Sequence, residues 1–438
     1  FLKGIAVLTE VAQKLAGRNR GKPVQALEFL FVSVFAALPP VLTVARVSPP
    51  LFLGLAAVFL AGLAWCYRGQ AMFEGLGSKI RSPLLLAGLA CTAFMLISVT
   101  WAPVPVQARG LSSAWGFLFS VLVSGLLWLC VCALPVPVLD RLAGRIGAAL
   151  AISLPLTAVL IFVHFLTGGV LNAELRADPD NYVLNRAAVA ISMFLPFAAL
   201  VVLKQRRRLP LAGLLVFAAV SCFQSDSSSA QLGVLVILLL TVPAFVWPRA
   251  IYRVVTGGAL VTFVLMPLIV GHVNDMIPQA VHEKVGYTSL TIRGLIWTEY
   301  ANLLPGHVWL GYGMEASKVA DELPESAGYS PERKYLLGFG HSHNAPLQIW
   351  FELGLAGAAL FAAALALLFR RAGHLQGASL AAATVTLAVT YSVAVVSHGA
   401  WQGWWFSLMI LTAVPFMVKG RAEAVRSAPE LAAGSQSA

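Results

Sequence analysis

Charge is scarce in this chain: 11% of its residues are Asp, Glu, Lys or Arg, against 59% that are hydrophobic. A soluble domain carries about 25% charged residues. So few charges cannot cover a water-facing surface, and the medium around most of the chain must be lipid. The mean hydropathy of +0.81 agrees. Cysteine is scarce too. The five (Cys66, Cys91, Cys130, Cys132 and Cys222) lie in apolar runs. They show no metal-ligand spacing and none falls in a watery loop where a disulfide would help, so they read as small apolar residues. Internal repeats are lacking, and low complexity is confined to an Ala/Ser-rich tail after Lys419 that reads as disordered.

Long apolar runs are what the chain has in abundance. A helix needs about 20 apolar residues to cross a bilayer core. Such runs fall near 26–45, 50–67, 83–101, 110–133, 146–168, 186–203, 210–223, 229–247, 254–272, 344–369, 376–397 and 402–418. They predict an all-α, polytopic membrane protein of about a dozen spans. The chain opens on Phe1, which leaves room for a missing start residue or tag. Its first residues are basic and polar, and the run that follows is long enough to stay in the membrane, which argues against a cleaved leader.

Basic residues tend to stay on the cytoplasmic side of a membrane. With the N-terminus in the cytoplasm and the spans alternating, 21 of the 30 Lys and Arg residues fall inside, among them Lys3, Lys14, Arg18, Arg20, Lys79 and Arg207. The basic balance thus reports topology and gives no reason to expect nucleic-acid binding. The predicted order is a cytoplasmic segment (1–25), helices 1–9 (26–272), a large periplasmic loop (273–343), helices 10–12 (344–418) and a cytoplasmic tail (419–438). Seven of the eight histidines lie at or near the outer side, and only His374 lies inside.

Two outer loops are long, 169–185 and 273–342. Within the second, 289–304 places Leu290, Leu295, Ile296, Trp297, Tyr300, Leu303 and Leu304 near one side of a helix that would lie on the membrane surface or against the bundle. A Gly/Pro-rich turn follows, PGHVWLGYGMEA. Next comes an acidic stretch with Asp321, Glu322, Glu325 and Glu332, expected to be mobile. Asn344 and Pro346 read as a helix start, which puts His343 at the outer mouth of a span. The positive helix end should depress the pKa of His343 and leave a neutral imidazole able to accept a proton. Gly354 and Gly357, further along, would let a neighbouring helix approach.

Two arginines could supply charge beside it: Arg186 at the start of the 186–203 run and Arg293 in the loop helix. Arginine stays charged in apolar surroundings and grips phosphate with two parallel hydrogen bonds. The competing assignments are structural pairing of Arg186 with Glu174, Asp178 or Asp180, and contact of Arg293 with lipid headgroups. No DxD metal motif is present, since Asp178-Pro179-Asp180 has the spacing but carries a proline that disfavours a chelating turn.

The sequence from His343-Asn344 through nine residues to Gly354 and then Gly357 resembles the signature of the bacterial O-antigen ligase family, within HNAPLQIWFELGLAG. Arg293, Trp297 and the turn Pro305–Gly313 are similar to a second family pattern, and Ser98–Pro103 to a weaker early one. Many relatives carry a Ser-Arg pair where this chain reads Ser227-Ser228-Ser229-Ala230-Gln231, so that phosphate contact is missing or is supplied by Arg186. The resemblance implies a GT-C-type glycosyltransferase fold in the inner membrane, working at the periplasmic face without cofactor or metal. The donor would be a glycan on undecaprenyl diphosphate and the acceptor a hydroxyl of lipid A–core. His343 would be the catalytic base, and Arg186 and Arg293 would bind the diphosphate. An O-antigen polymerase and a protein O-oligosaccharyltransferase share these motifs. A lipid-linked glycan flippase, from another class, is disfavoured because the spans hold few ionisable residues, His164 being the main exception.

Overall fold

A computed structural model describes residues 21–74, 77, 81–175, 177–206, 208–272 and 289–434. Residues 1–20, Lys79, Arg207 and the stretch 273–288 of the long loop lie outside it, so the N-terminal segment and the first part of that loop are not tested. The described residues form helices and turns, with no strand among them.

The principal helices are α1 (Lys22–Val41), α2 (Pro49–Arg68), α3 (Pro83–Ser98), α4 (Gln107–Ala133), α5 (Val136–Thr167), α6 (Asn185–Lys204), α7 (Arg208–Gln224), α8 (Ser228–Val246), α9 (Pro248–Val264), α10 (Ser289–Leu303), α11 (Ala345–Ala372), α12 (Gly377–Val396) and α13 (Gly403–Gly434). Proline opens many of them, at the position where its missing N–H costs no helical hydrogen bond. Among the described residues nine helices are long and apolar enough to cross a membrane, and the protein is a multi-pass membrane protein. Of the other apolar runs, α7 and α9 have 17 residues each, and α13 carries Lys419, Arg421 and Glu423 in its second half. The tail expected to be disordered continues as α13 as far as Gly434, because Ala, Glu and Arg in that stretch sustain a helix.

Two hydrophobic cores result. The larger joins α1, α2, α5, α6, α8, α12 and α13, with Phe31, Phe35, Phe194 and Trp405 at its centre. One proline inside these spans is compensated across the bundle. Pro40 cannot donate to the Ala36 carbonyl, and Ser153 of α5 donates to it instead, at 2.6 Å. A buried charge is paired in the same way: Glu28 of α1, 1% exposed, receives Arg141 and Arg145 of α5. Cys91, Cys130 and Cys222 are buried, whereas Cys66 is exposed on α2.

The second core is built by the long segment between α9 and α11. Ile296, Trp297, Tyr300 and Leu303 of α10 pack with Tyr312, Met314, Leu337 and the first half of α11, around Phe351. The loop helix therefore packs on the bundle. The acidic stretch expected to be mobile is pinned as well. Its turns bury Ala320, Leu323 and Ser326, His307 pairs with Glu325 at 3.0 Å, and Arg333 pairs with Glu299 at 2.6 Å.

Candidate active site

Helix α11 starts where the sequence predicted. Asn344 Oδ1 accepts from Leu347 N at 3.0 Å, with proline in the first turn. His343, immediately before this cap, has positive φ. Its N–H donates to His341 Nδ1 at 3.2 Å, and the two rings are 4.0 Å apart.

The turn between α12 and α13 closes the site from the other side. His343 Nδ1 lies 3.1 Å from the Ser397 carbonyl oxygen. A carbonyl can only accept, so Nδ1 carries the proton and the neutral ring presents its lone pair at Nε2. Burial pushes the pKa of His343 down first, and the nearby charges of Arg293 and Lys318 push it further, against the Ser397 hydrogen bond. The expected depression is present, but desolvation is its first cause rather than the helix end. His341 is lowered to about 3 by burial, His343 and Lys318. His398, half-buried, is driven well down by desolvation and by Arg186, His341, His343 and Arg293.

Arg186 reaches the same cluster. Its guanidinium lies 4.2 Å from the centre of the Trp404 ring, which the His398 ring meets at 4.7 Å, and it donates to the Arg46 carbonyl at 2.9 Å. No carboxylate pairs with Arg186 or Arg293 among the described residues. Asp178 is instead engaged by Tyr182 and by the charge of Arg46. Arg293 is half-buried, and one helical turn on, the Trp297 indole N–H is buried without a partner. The three site residues named from the sequence thus face one histidine cluster. No three His, Cys, Asp or Glu side chains come together as metal ligands among the described residues.

Gly354 does not serve a helix neighbour. Helix α11 breaks there, at φ 61° and ψ −164°, and the 307–313 loop is threaded against the break. Tyr312 N and Gly313 N donate to the carbonyls of Phe351 and Glu352, while Leu355 N and Ala356 N donate to those of Val308 and Trp309. A Cβ on Gly354 would stand 2.5 Å from Gly311 N, and one on Gly311 would stand 2.4 Å from the Glu352 carbonyl carbon. The glycine of the motif is thus required by backbone meeting backbone.

Sequence reasoning missed Ser397, His398, Lys318, Gln348 and Glu352. Glu352 had a signal, a lone carboxylate in the apolar run QIWFELGL. It is 0% exposed, so His164 is not the main ionisable residue within the spans. His398 and Ser397 had none, because the histidines they meet, His341 and His343, lie more than 50 residues away in sequence.

A multi-pass membrane protein with a covered cluster of histidines and unpaired arginines between a broken helix and a long loop is the class defined so far. Residues 212–362 match the family described as O-antigen ligase. A protein of Rickettsia felis named "Putative polysaccharide ligase" is 26% identical over 271 residues, 60% of this chain and 66% of that protein. One of the same name from Rickettsia bellii is 25% identical over 276 residues, 60% of this chain and 65% of that protein. The matched region thus spans just under two thirds of these relatives' length.

Proposed function

We propose that this chain is a glycosyltransferase of the O-antigen ligase type, with a GT-C-type arrangement of about twelve crossing helices. It sits in the bacterial inner membrane with both termini in the cytoplasm and His343 facing the periplasm. The donor is a glycan on undecaprenyl diphosphate and the acceptor is a sugar hydroxyl of lipid A–core. The observation that carries this reading is the His343 ring: Nδ1 is committed to Ser397, which leaves Nε2 as the acceptor, and among the described residues Arg186 and Arg293 have no carboxylate partner.

In the reaction, His343 Nε2 takes the proton of the acceptor hydroxyl as its oxygen attacks the anomeric carbon. The bond from that carbon to the phosphate oxygen breaks, and its electron pair leaves on the diphosphate. Attack opposite the leaving group inverts the anomeric centre. Arg186 and Arg293 offset the growing negative charge, the work a divalent cation does elsewhere. Loss of a general base of this kind costs about 10²–10⁴ in rate.

The test is reconstitution of the purified full chain with an undecaprenyl-diphosphate glycan and lipid A–core, in EDTA, read by gel mobility. A slower lipid A–core band that disappears with His343→Ala is expected. Longer glycan chains on the donor lipid would instead establish a polymerase, and a band that persists with His343→Ala would overturn the role given to His343.

A further inference from the structure

We infer that Gln348 and Glu352 are positioning residues for His343, holding the 397–401 turn so that the Ser397 carbonyl receives the His343 Nδ1 proton. The inference builds on the reading of His343 as the base.

The segment from Ser397 to Trp401 is irregular, and among the described residues no backbone N–H donates to its carbonyls. Side chains do this instead. Ala400 N donates to Gln348 Oε1 at 2.8 Å, the Trp401 indole N–H donates to Glu352 Oε2 at 2.6 Å, and Ser397 Oγ donates to Ser229 Oγ at 3.0 Å. Gln348 and Glu352 are one turn apart on α11, and Gln348 Nε2 donates to Glu352 Oε1 at 2.8 Å. Ser317 Oγ also donates to Oε1, and Glu315 N to Oε2. Four donors fill the acceptor sites of one carboxylate, which is about its full capacity. That carboxylate ties together three segments that meet nowhere in sequence: the 315–317 turn, the first half of α11 and the 397–401 turn.

The consequence for His343 is geometric. Asn344 and the α11 start fix the ring from one side. The acceptor for Nδ1 is a backbone carbonyl on another segment, and it keeps its place only while Ala400 and Trp401 are held. If the turn relaxes, the proton is free to occupy either nitrogen and Nε2 is no longer reserved as the acceptor. The other titratable and charged groups facing His343 are His341 on its own turn, Lys318, Arg293 and His398, with Arg186 beyond His398.

The experiment uses the full chain labelled with ¹⁵N-histidine, the His343 signals being assigned by their loss in His343→Asn. Wild-type protein should show a protonated Nδ1 and an unprotonated Nε2. Gln348→Met keeps the side-chain size and removes its hydrogen bonds with Ala400, Ser317 and Glu352, Trp401→Phe keeps an aromatic ring and removes the single bond to Glu352, and both should move the two nitrogens toward the averaged values of exchanging tautomers. Ser153→Ala, in α5 against α1, should leave them in place. In the transfer assay the same two variants should lower the maximal rate and shift the acid limb of the pH profile down by about half a unit, because the lost hydrogen bond had favoured the protonated ring. Unchanged nitrogen shifts in folded Gln348→Met protein would overturn the inference, and Trp401→Phe gives an independent reading if that variant fails to fold. Shifts that move in a protein with no transfer activity would instead overturn the ligase reading and leave the positioning intact.

Discussion

The two halves of α11 are one helix by sequence position and two environments by physics. From Ala345 to Gly354 every residue is buried, including Gln348 and Glu352. From Leu355 to Phe369 the helix returns to what a lipid-facing span looks like, with Leu355, Ala359 and Ala363 exposed and small or apolar residues throughout. The difference teaches where polar chemistry can sit in a membrane protein. A carboxylate and an amide are stable in the first half because two other segments, the 315–317 and 397–401 turns, supply hydrogen-bond partners, and the second half has no such partners among the described residues.

Variants that exchange the properties of the two halves should break this comparison. The largest effect is expected for Gly354→Ala. Positive φ at a non-glycine residue costs about 1–3 kcal/mol, and the added methyl meets backbone at 2.5 Å that cannot move aside; little folded protein should be recovered by size-exclusion chromatography. Glu352→Ala should follow, since it leaves several buried donors unpaired at about 1–3 kcal/mol each, read as a fall in thermal midpoint. A smaller effect is expected from acid. Histidines 341, 343 and 398 all have folded pKa values below their unfolded value of about 6.5. Their burial is therefore fully compatible with folding above pH 6.5, and stability is lost as pH falls below it, because the unfolded chain then binds more protons. The thermal midpoint should drop between pH 7 and pH 4, and His398→Asn should flatten that slope. The smallest effect is expected in the second half of α11, where Ala359→Leu, facing outward, should change stability by no more than about 0.5 kcal/mol.

The same contrast governs what the sequence revealed. Runs of apolar residues announce spans because lipid imposes one requirement on every residue, and each of the twelve apolar runs falls on a helix. The start of α11 was legible from Asn344 and Pro346, and His343, Arg186 and Arg293 were legible because charge and imidazole stand out against an apolar background. The role of Gly354 was misread, since a glycine in a span usually serves helix packing, and here it admits a loop from 40 residues upstream. The acidic stretch was misread because its buried residues, Ala320, Leu323 and Ser326, are too few and too irregular to show a period. Ser397 and His398 were invisible because their role depends on a turn meeting a helix start far away in sequence.

The threaded break at Gly354 also sets an order of assembly. The 307–313 loop is synthesised well before residues 351–356, so its N–H and C=O groups have no helix to bond until α11 has entered the membrane. The histidine cluster needs still more chain, because Ser397 and His398 arrive only after α12. During biosynthesis the protein therefore passes through a stage with most of its spans inserted and no histidine cluster, which forms only as the last helices are added.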